Sequence, residues 1–157
     1  MSCHDISVTV NGKAYAASVD ARITLLDFLR TQLALTGTHV GCEHGVCGAC
    51  SILYEGTPMR ACSLLAVQAN GKKITTVEGL CNEDGTPGIL QDAFRDGHAM
   101  QCGYCIPGTV VTVKALLDRK SNPDPSDIEE ALSRNLCRCG CHHDVLKAVE
   151  RLISESA

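Results

Sequence analysis

The placement of its cysteines constrains this chain more than any other feature. Cys42, Cys47, Cys50 and Cys62 follow C-x4-C-x2-C and then, after eleven intervening residues, one further cysteine. That is the plant-type spacing for a 2Fe-2S cluster. One tight loop must wrap three thiolates round a metal centre while the fourth arrives from a neighbouring strand. Gly41, Gly45 and Gly48 supply the positive φ and the close approach of backbone N–H to sulfur that such a wrap needs. A structural zinc site is the competing reading. It ordinarily shows paired C-x2-C knuckles or a Cys/His pair, and the four-residue gap and glycine-rich wrap suit a tetrahedral knuckle poorly, so the spacing favours the cluster. His44, inside the loop, reads as a solvated residue rather than a ligand.

A second set is Cys102-x2-Cys105, on the approach to Pro107, with Cys137-x-Cys139 further on. Two cysteine pairs at facing helix ends can converge on one metal centre inside a helical bundle. By itself this pattern leaves a zinc site or a redox pair open.

Composition narrows the setting. A chain of 157 residues fits one ordinary domain or two small ones. Two domains of about 75 residues would bury little apolar surface and would need staples, which the 11 cysteines can supply. A net charge of −4 without a Lys/Arg run argues against a nucleic-acid footprint or a polybasic membrane patch. MSCHDISVTVNGK lacks a signal-peptide core, and no stretch approaches the roughly 18 apolar residues of a membrane span, so a cytoplasmic location is expected. In that reducing compartment the cysteines read as metal or redox ligands rather than a disulfide framework. Neither a Ser/His/Asp arrangement, a phosphate-cradling P-loop nor a dinucleotide glycine fingerprint is present, so the chain is not expected to bind substrate and has no candidate catalytic residue.

Local patterns divide the chain near residue 80. Ile6, Val8 and Val10 alternate with polar residues, Asn11-Gly12 turns, and Lys13 to Ala17 extends again, predicting a hairpin. Leu25, Leu26, Phe28, Leu29 and Leu33 recur at helical spacing, predicting a helix over Thr24 to Leu33 that lies across the sheet and ends by Gly37. Ser51 to Tyr54 and Met59 to Leu65 suit strands joined at Glu55-Gly56, and Ile74 to Val77 suits a third. Beyond the loop CNEDGTPG the reading is helical: around Leu90 to Arg95, from Pro107 to about Lys120, from Ser126 with Glu129 as a capping box, and finally an amphipathic helix carrying Val145, Leu146, Val149, Leu152 and Ile153.

The two cysteine sets, in this order on a strand-rich half and then a helical half, resemble the small iron-sulfur subunit of molybdenum hydroxylases, the xanthine oxidase and aldehyde oxidoreductase family. LTGTHVGCEHGVCGAC, AVQANGKKITTVEG, QCGYCIPG and NLCRC look like that family's signatures and span most of residues 5 to 150, and the middle segment is similar to small subunits of the carbon monoxide dehydrogenase type. The resemblance implies an α+β chain: a β-grasp, plant-type ferredoxin domain over 1–80, followed by a four-helix-bundle 2Fe-2S domain over 81–157. It implies that Cys42, Cys47, Cys50 and Cys62 hold an outer cluster and that Cys102, Cys105, Cys137 and Cys139 hold an inner one. It further implies that Gln101 and Cys139 lie against the pterin of a molybdenum cofactor carried by a separate large subunit. Electrons would pass through both clusters to a medium FAD subunit of a heterotrimer, or to another acceptor, during hydroxylation of an N-heterocycle, purine or aldehyde.

The pattern departs from the family beyond the inner ligands. Where the family reads S-G-N-L-C-R-C-T-G-Y, this chain has Arg134 for a glycine and Gly140, Cys141 and His142 for T-G-Y, and Ile106 stands where threonine is usual. Cys141 creates a second C-x-C. With C-R-C intact, Cys141 is expected to be a buried interface residue, Cys3 a free thiol near a loose terminus and Cys81 a loop thiol. His142 and His143 read as a solvated or interface-packed pair at a helix entry, and Arg138 either supports a negatively charged cluster or contacts the pterin, or simply charges a helix end. Two other functions fit the motifs: a stand-alone two-cluster carrier, which would need a finished polar surface, and a zinc-stapled interaction module, which would be colourless.

Overall fold

A computed structural model describes residues 2–156. The hairpin forms as the alternation dictates: β1 (Cys3–Val10) pairs antiparallel with β2 (Lys13–Asp20), with Val10 opposite Lys13 across the turn. Asn11 and Gly12 both take positive φ, 51° and 78°, which is the turn whose twist matches the flanking strands. The same solution closes the second hairpin, β3 (Ser51–Tyr54) with β4 (Thr57–Arg60), through Glu55 and Gly56 at 51° and 79°. β5 (Lys73–Thr75) then enters between the hairpins, parallel to β1 and antiparallel to β3, and the sheet order is β2-β1-β5-β3-β4.

Ile6, Val8 and Val10 point to one face of this sheet and are buried there with Ile52 and Ile74. Against them lies the helical segment α1 (Leu25–Asp27), capped by the Thr24 hydroxyl, which accepts from the Asp27 N–H. α1 runs into a wider π-type turn over Phe28–Gln32. Leu25, Leu26, Phe28 and Leu29 are each at most 1% exposed, and burial on this scale contributes about 1.5–3 kcal/mol per side chain. The predicted helix is therefore present but shorter and wider than its spacing implied. It does not end at Gly37: the chain leaves it through Ala34, in the left-handed region at φ 57°, while Gly37 donates its N–H to the Glu78 carboxylate. The predicted strand over Met59 to Leu65 also stops early, at Arg60. The Ala61 N–H extends the strand pairing to the Cys50 carbonyl, and Ala61–Ser63 then form a 3-10 turn closed by the Leu64 N–H on the Ala61 carbonyl, with Cys62 beside Cys50. Cys3 is exposed but belongs to β1, opposite Asp20, rather than to a loose end.

The second half holds α2 (Ile89–Asp96), α3 (Ile106–Arg119), α4 (Pro125–Leu132) and α5 (His142–Ser156). Leu90, Phe94, Val110, Val113, Ile128, Leu132, Val145 and Val149 form their common core. The capping box of α4 is Asp124 with Asp127, each side chain accepting the other's N–H, rather than Ser126 with Glu129. Pro125 decides between the two, since its fixed φ and missing N–H suit the first helical position. α3 serves both halves: one face joins the helical core, and Val111 and Ala115 pack on Leu53 of β3. At that seam the backbones come close, and a Cβ on Gly108 would stand 2.3 Å from the Gly48 carbonyl oxygen. Among the described residues no helix is long and apolar enough to cross a membrane.

Candidate metal centres

The loop between α1 and β3 carries Cys42, Cys47 and Cys50. Gly45 and Gly48 take φ of 83° and 78°, as a tight wrap requires, whereas Gly41 contributes close approach instead: a Cβ there would lie 2.6 Å from the Cys47 Sγ. The wrap turns N–H groups onto sulfur. Val46 and Cys47 each donate to the Cys42 Sγ at 3.3 Å. Backbone N–H groups of Cys47, His44 and Val46 hold the Cys42 thiol down at about 6. Cys50, buried against Cys62, is pushed up to about 11 by burial. Among the four thiols, Cys42 interacts with Cys47 and Cys50 with Cys62, while Cys47 also acts on Cys50. His44 contributes its backbone N–H alone, and the residue is exposed.

The second set gathers at the N-terminal ends of α3 and α5. Cys102 faces Cys139; the Tyr104 N–H, then the Cys139 thiol, hold the Cys102 thiol below its usual range. Deeper in, the Sγ atoms of Cys105, Cys137 and Cys141 all lie within 4.8 Å of one another, with Cys137 and Cys141 3.1 Å apart. Burial pushes the Cys105 thiol up to about 11. Burial also raises Cys137, but the N–H and thiol of Cys141, with the Cys105 thiol, outweigh it and leave Cys137 at about 7. Burial, reinforced by Cys137, pushes Cys141 up to about 12. Each set therefore contains thiols already inclined to ionise and thiols that stay protonated until a cation offsets their burial, which is donor chemistry suited to an iron-sulfur centre. Cys141 joins the inner thiols in a way that sequence reading did not foresee; the signal was the second C-x-C. Gln101 is exposed, and its Nε2 donates to the Cys139 carbonyl at 3.3 Å. Cys81 is half-buried beside the Gln91 amide, and Arg138 and His143 are exposed.

The cysteine loops are strapped together at two places. The Leu136 N–H donates to the Cys47 carbonyl at 2.8 Å, joining a residue of the first loop to the neighbour of Cys137. Beside it, Asn135, 1% exposed, donates from Nδ2 to the Gly48 carbonyl and accepts at Oδ1 from the Thr112 hydroxyl, both at 2.9 Å. Arg60 reaches from β4 to the Ser51 hydroxyl and to the Arg134 carbonyl. On the other side, the Tyr104 hydroxyl donates to the Val40 carbonyl and the His39 Nδ1 donates to the Tyr104 carbonyl at 2.8 Å, with the two rings 4.8 Å apart.

The 2Fe-2S iron-sulfur cluster binding domain family matches residues 8–81, and the 2Fe-2S binding domain family matches residues 76–150. The chain is 51% identical over 153 residues to the gamma subunit of caffeine dehydrogenase from Pseudomonas sp. (strain CBB1), covering 96% of this chain and 91% of that one. It is 47% identical over 145 residues to the small subunit of nicotine 6-hydroxylase from Paenarthrobacter nicotinovorans, covering 92% and 87%. It superposes on quinoline 2-oxidoreductase from Pseudomonas putida 86 with a TM-score of 0.92 at 43% identity, over 98% of this chain and 95% of that one. The chain belongs to the small iron-sulfur subunits of the molybdenum hydroxylases. As such a subunit it joins a β-grasp ferredoxin domain to a helical 2Fe-2S domain. It serves an oxidoreductase as an electron-transfer component, with the catalysis on other subunits.

Proposed function

We propose that this small subunit conducts electrons from a large molybdenum-pterin subunit, through an inner and then an outer 2Fe-2S cluster, to a medium FAD subunit or another acceptor. The ligands are Cys102, Cys105, Cys137 and Cys139 within 81–157, and Cys42, Cys47, Cys50 and Cys62 within 1–80. Bound at these positions, the clusters supply one-electron redox centres that split a two-electron oxidation into single steps. The observation that carries the proposal is the hydrogen bond from the Leu136 N–H to the Cys47 carbonyl. It links the residue next to an inner ligand directly to an outer ligand, so the two sites are held in fixed register by backbone rather than by mobile side chains. Asn135 and Arg60 reinforce the same junction.

Gln101 and Cys139, hydrogen-bonded to each other at the exposed end of the inner set, are the residues assigned to the pterin. Val46 and Leu136, each 59% exposed, and Tyr104, 49% exposed, leave apolar side chains in solvent beside the cysteine loops. That surface favours a subunit awaiting its partners over a free carrier with a finished polar exterior. The substrate class assigned to the complex is N-heterocyclic, on the strength of relatives named for caffeine, nicotine and quinoline, and the location assigned is cytoplasmic.

Purification of the subunit from its native host tests the proposal. It is expected to elute in a complex that contains molybdenum, and an N-heterocyclic substrate is expected to bleach its visible absorbance under anaerobic conditions. Elution as a molybdenum-free monomer would establish the free carrier instead.

A further inference from the structure

Cys141 is unexplained by the eight-ligand assignment. It is 2% exposed, so it meets neither solvent nor reagents, and what it faces is the inner site. Its Sγ lies 3.1 Å from that of Cys137, and both lie within 4.8 Å of the Cys105 Sγ. Two thiolates on one tetrahedral metal, with bonds of about 2.3 Å, stand about 3.8 Å apart. The three sulfurs are therefore spaced on the scale of a single metal ion's ligand shell. Ordinary core packing of a cysteine explains burial but not this convergence. The position is also rigid: the Cys141 N–H points at the Cys137 Sγ at 3.5 Å, and its carbonyl accepts the Val145 N–H at 3.0 Å as α5 begins. Cys139, by contrast, faces Cys102 and lies outside this trio.

We propose that Cys141 is a reserve ligand of the inner site, able to occupy the coordination position of Cys137. The proposal rests on the assignment of Cys102, Cys105, Cys137 and Cys139 to an inner 2Fe-2S cluster. The exchange would be a ligand substitution: as the iron–Cys137 bond breaks, the Cys141 thiol would give its proton to the departing Cys137 sulfur 3.1 Å away and form an iron–sulfur bond in that position. No electron is gained or lost. Because Cys141 neighbours Cys137 and not Cys139, the substitution is specific to one of the two C-R-C positions.

Iron content and low-temperature EPR of the dithionite-reduced holoprotein test this in four variants. C137S is expected to keep its inner iron with shifted inner g values, C137S/C141S and C139S to lose the inner signal, and C141S to keep both signals. The outer signal reports in each case that the chain has folded. Equal loss of inner iron from C137S and C137S/C141S would overturn the proposal, and loss of the inner signal from C141S alone would replace it with a shifted ligand register. Should C137S also lose its outer signal, the rate of iron release to a chelator decides. C141S is then expected to release inner iron severalfold faster than the unmodified protein, and equal rates would overturn the proposal. A single EPR signal in the unmodified protein would instead mean that the inner-cluster assignment itself had failed.

Discussion

Asn135→Ala probes the junction between the two cysteine loops. The side chain is 1% exposed, donates to the Gly48 carbonyl and accepts from Thr112, both at 2.9 Å. Neither partner is stranded by its removal. Gly48 still accepts from the Ser51 N–H and hydroxyl, and the single Thr112 hydroxyl proton, shared between Asn135 and the Gly108 carbonyl, goes wholly to the latter. The cost is then two buried hydrogen bonds at about 1 kcal/mol each, plus about 1 kcal/mol at most for the vacated carboxamide volume. A total of about 2–3 kcal/mol corresponds to a fall in Tm of about 4–12 °C for a chain of this size. Differential scanning calorimetry, with visible circular dichroism following both clusters, reads it.

Asn135→Asp sharpens the test, because it sets a carboxylate oxygen against the Gly48 carbonyl in a buried site. Its folded pKa is expected above the unfolded value of about 3.9. The ionisation penalty is then absent below the unfolded pKa, grows as pH rises between the unfolded and folded values, and is constant above them. A Tm for Asn135→Ala within 2 °C or so of the unmodified protein, or an Asn135→Asp defect independent of pH, would refute the view that this side chain couples the halves.

Gly108→Ala would place its Cβ 2.3 Å from the Gly48 carbonyl oxygen, so α3 must shift away from the cysteine loop; a loss of about 1–3 kcal/mol or more is expected by thermal unfolding. Cys50→Ser is expected to abolish or severely alter the outer EPR signal while leaving the inner one, since only the first thiol set loses a ligand; an unchanged spectrum would count against the assignment. The Arg22 side chain, donating to Asp20 at 3.0 and 2.9 Å, holds that carboxyl at about 2 against 3.8 unperturbed. The pair therefore favours the fold above the unperturbed value and loses that effect as pH falls toward about 2. In Arg22→Ala, carboxyl NMR titration is expected to find Asp20 raised from about 2 yet still below 3.8, because the backbone N–H of residue 22 continues to donate to its Oδ1.

Much of this was legible in the residues because the signals are local. Asn11-Gly12 and Glu55-Gly56 specify their turns, and the first cysteine spacing specifies a loop that wraps metal. What escaped was decided by distant contacts or by competing local codes. Met59 to Leu65 has a strand's apolar content, yet the need to lay Cys62 beside Cys50 bends it after Arg60. Two overlapping capping boxes precede α4, and Pro125, plainly visible in the sequence, was the residue to heed. The exchange of a family glycine for Arg134 is tolerated because its side chain turns outward to Glu130 while its carbonyl accepts from Arg60. Cys141 could be seen as a second C-x-C, but only the packing of α5 against α2 and α4 sets it beside Cys137 and Cys105.

The central claim is that one chain holds two distinct 2Fe-2S centres. Low-temperature EPR with spin quantitation on the dithionite-reduced protein from its native host, together with iron, zinc and molybdenum analysis, tests it most directly. Two separate signals of about one spin each, with molybdenum in the same preparation, are predicted. A single signal, or a colourless and fully folded protein replete with zinc, would contradict it.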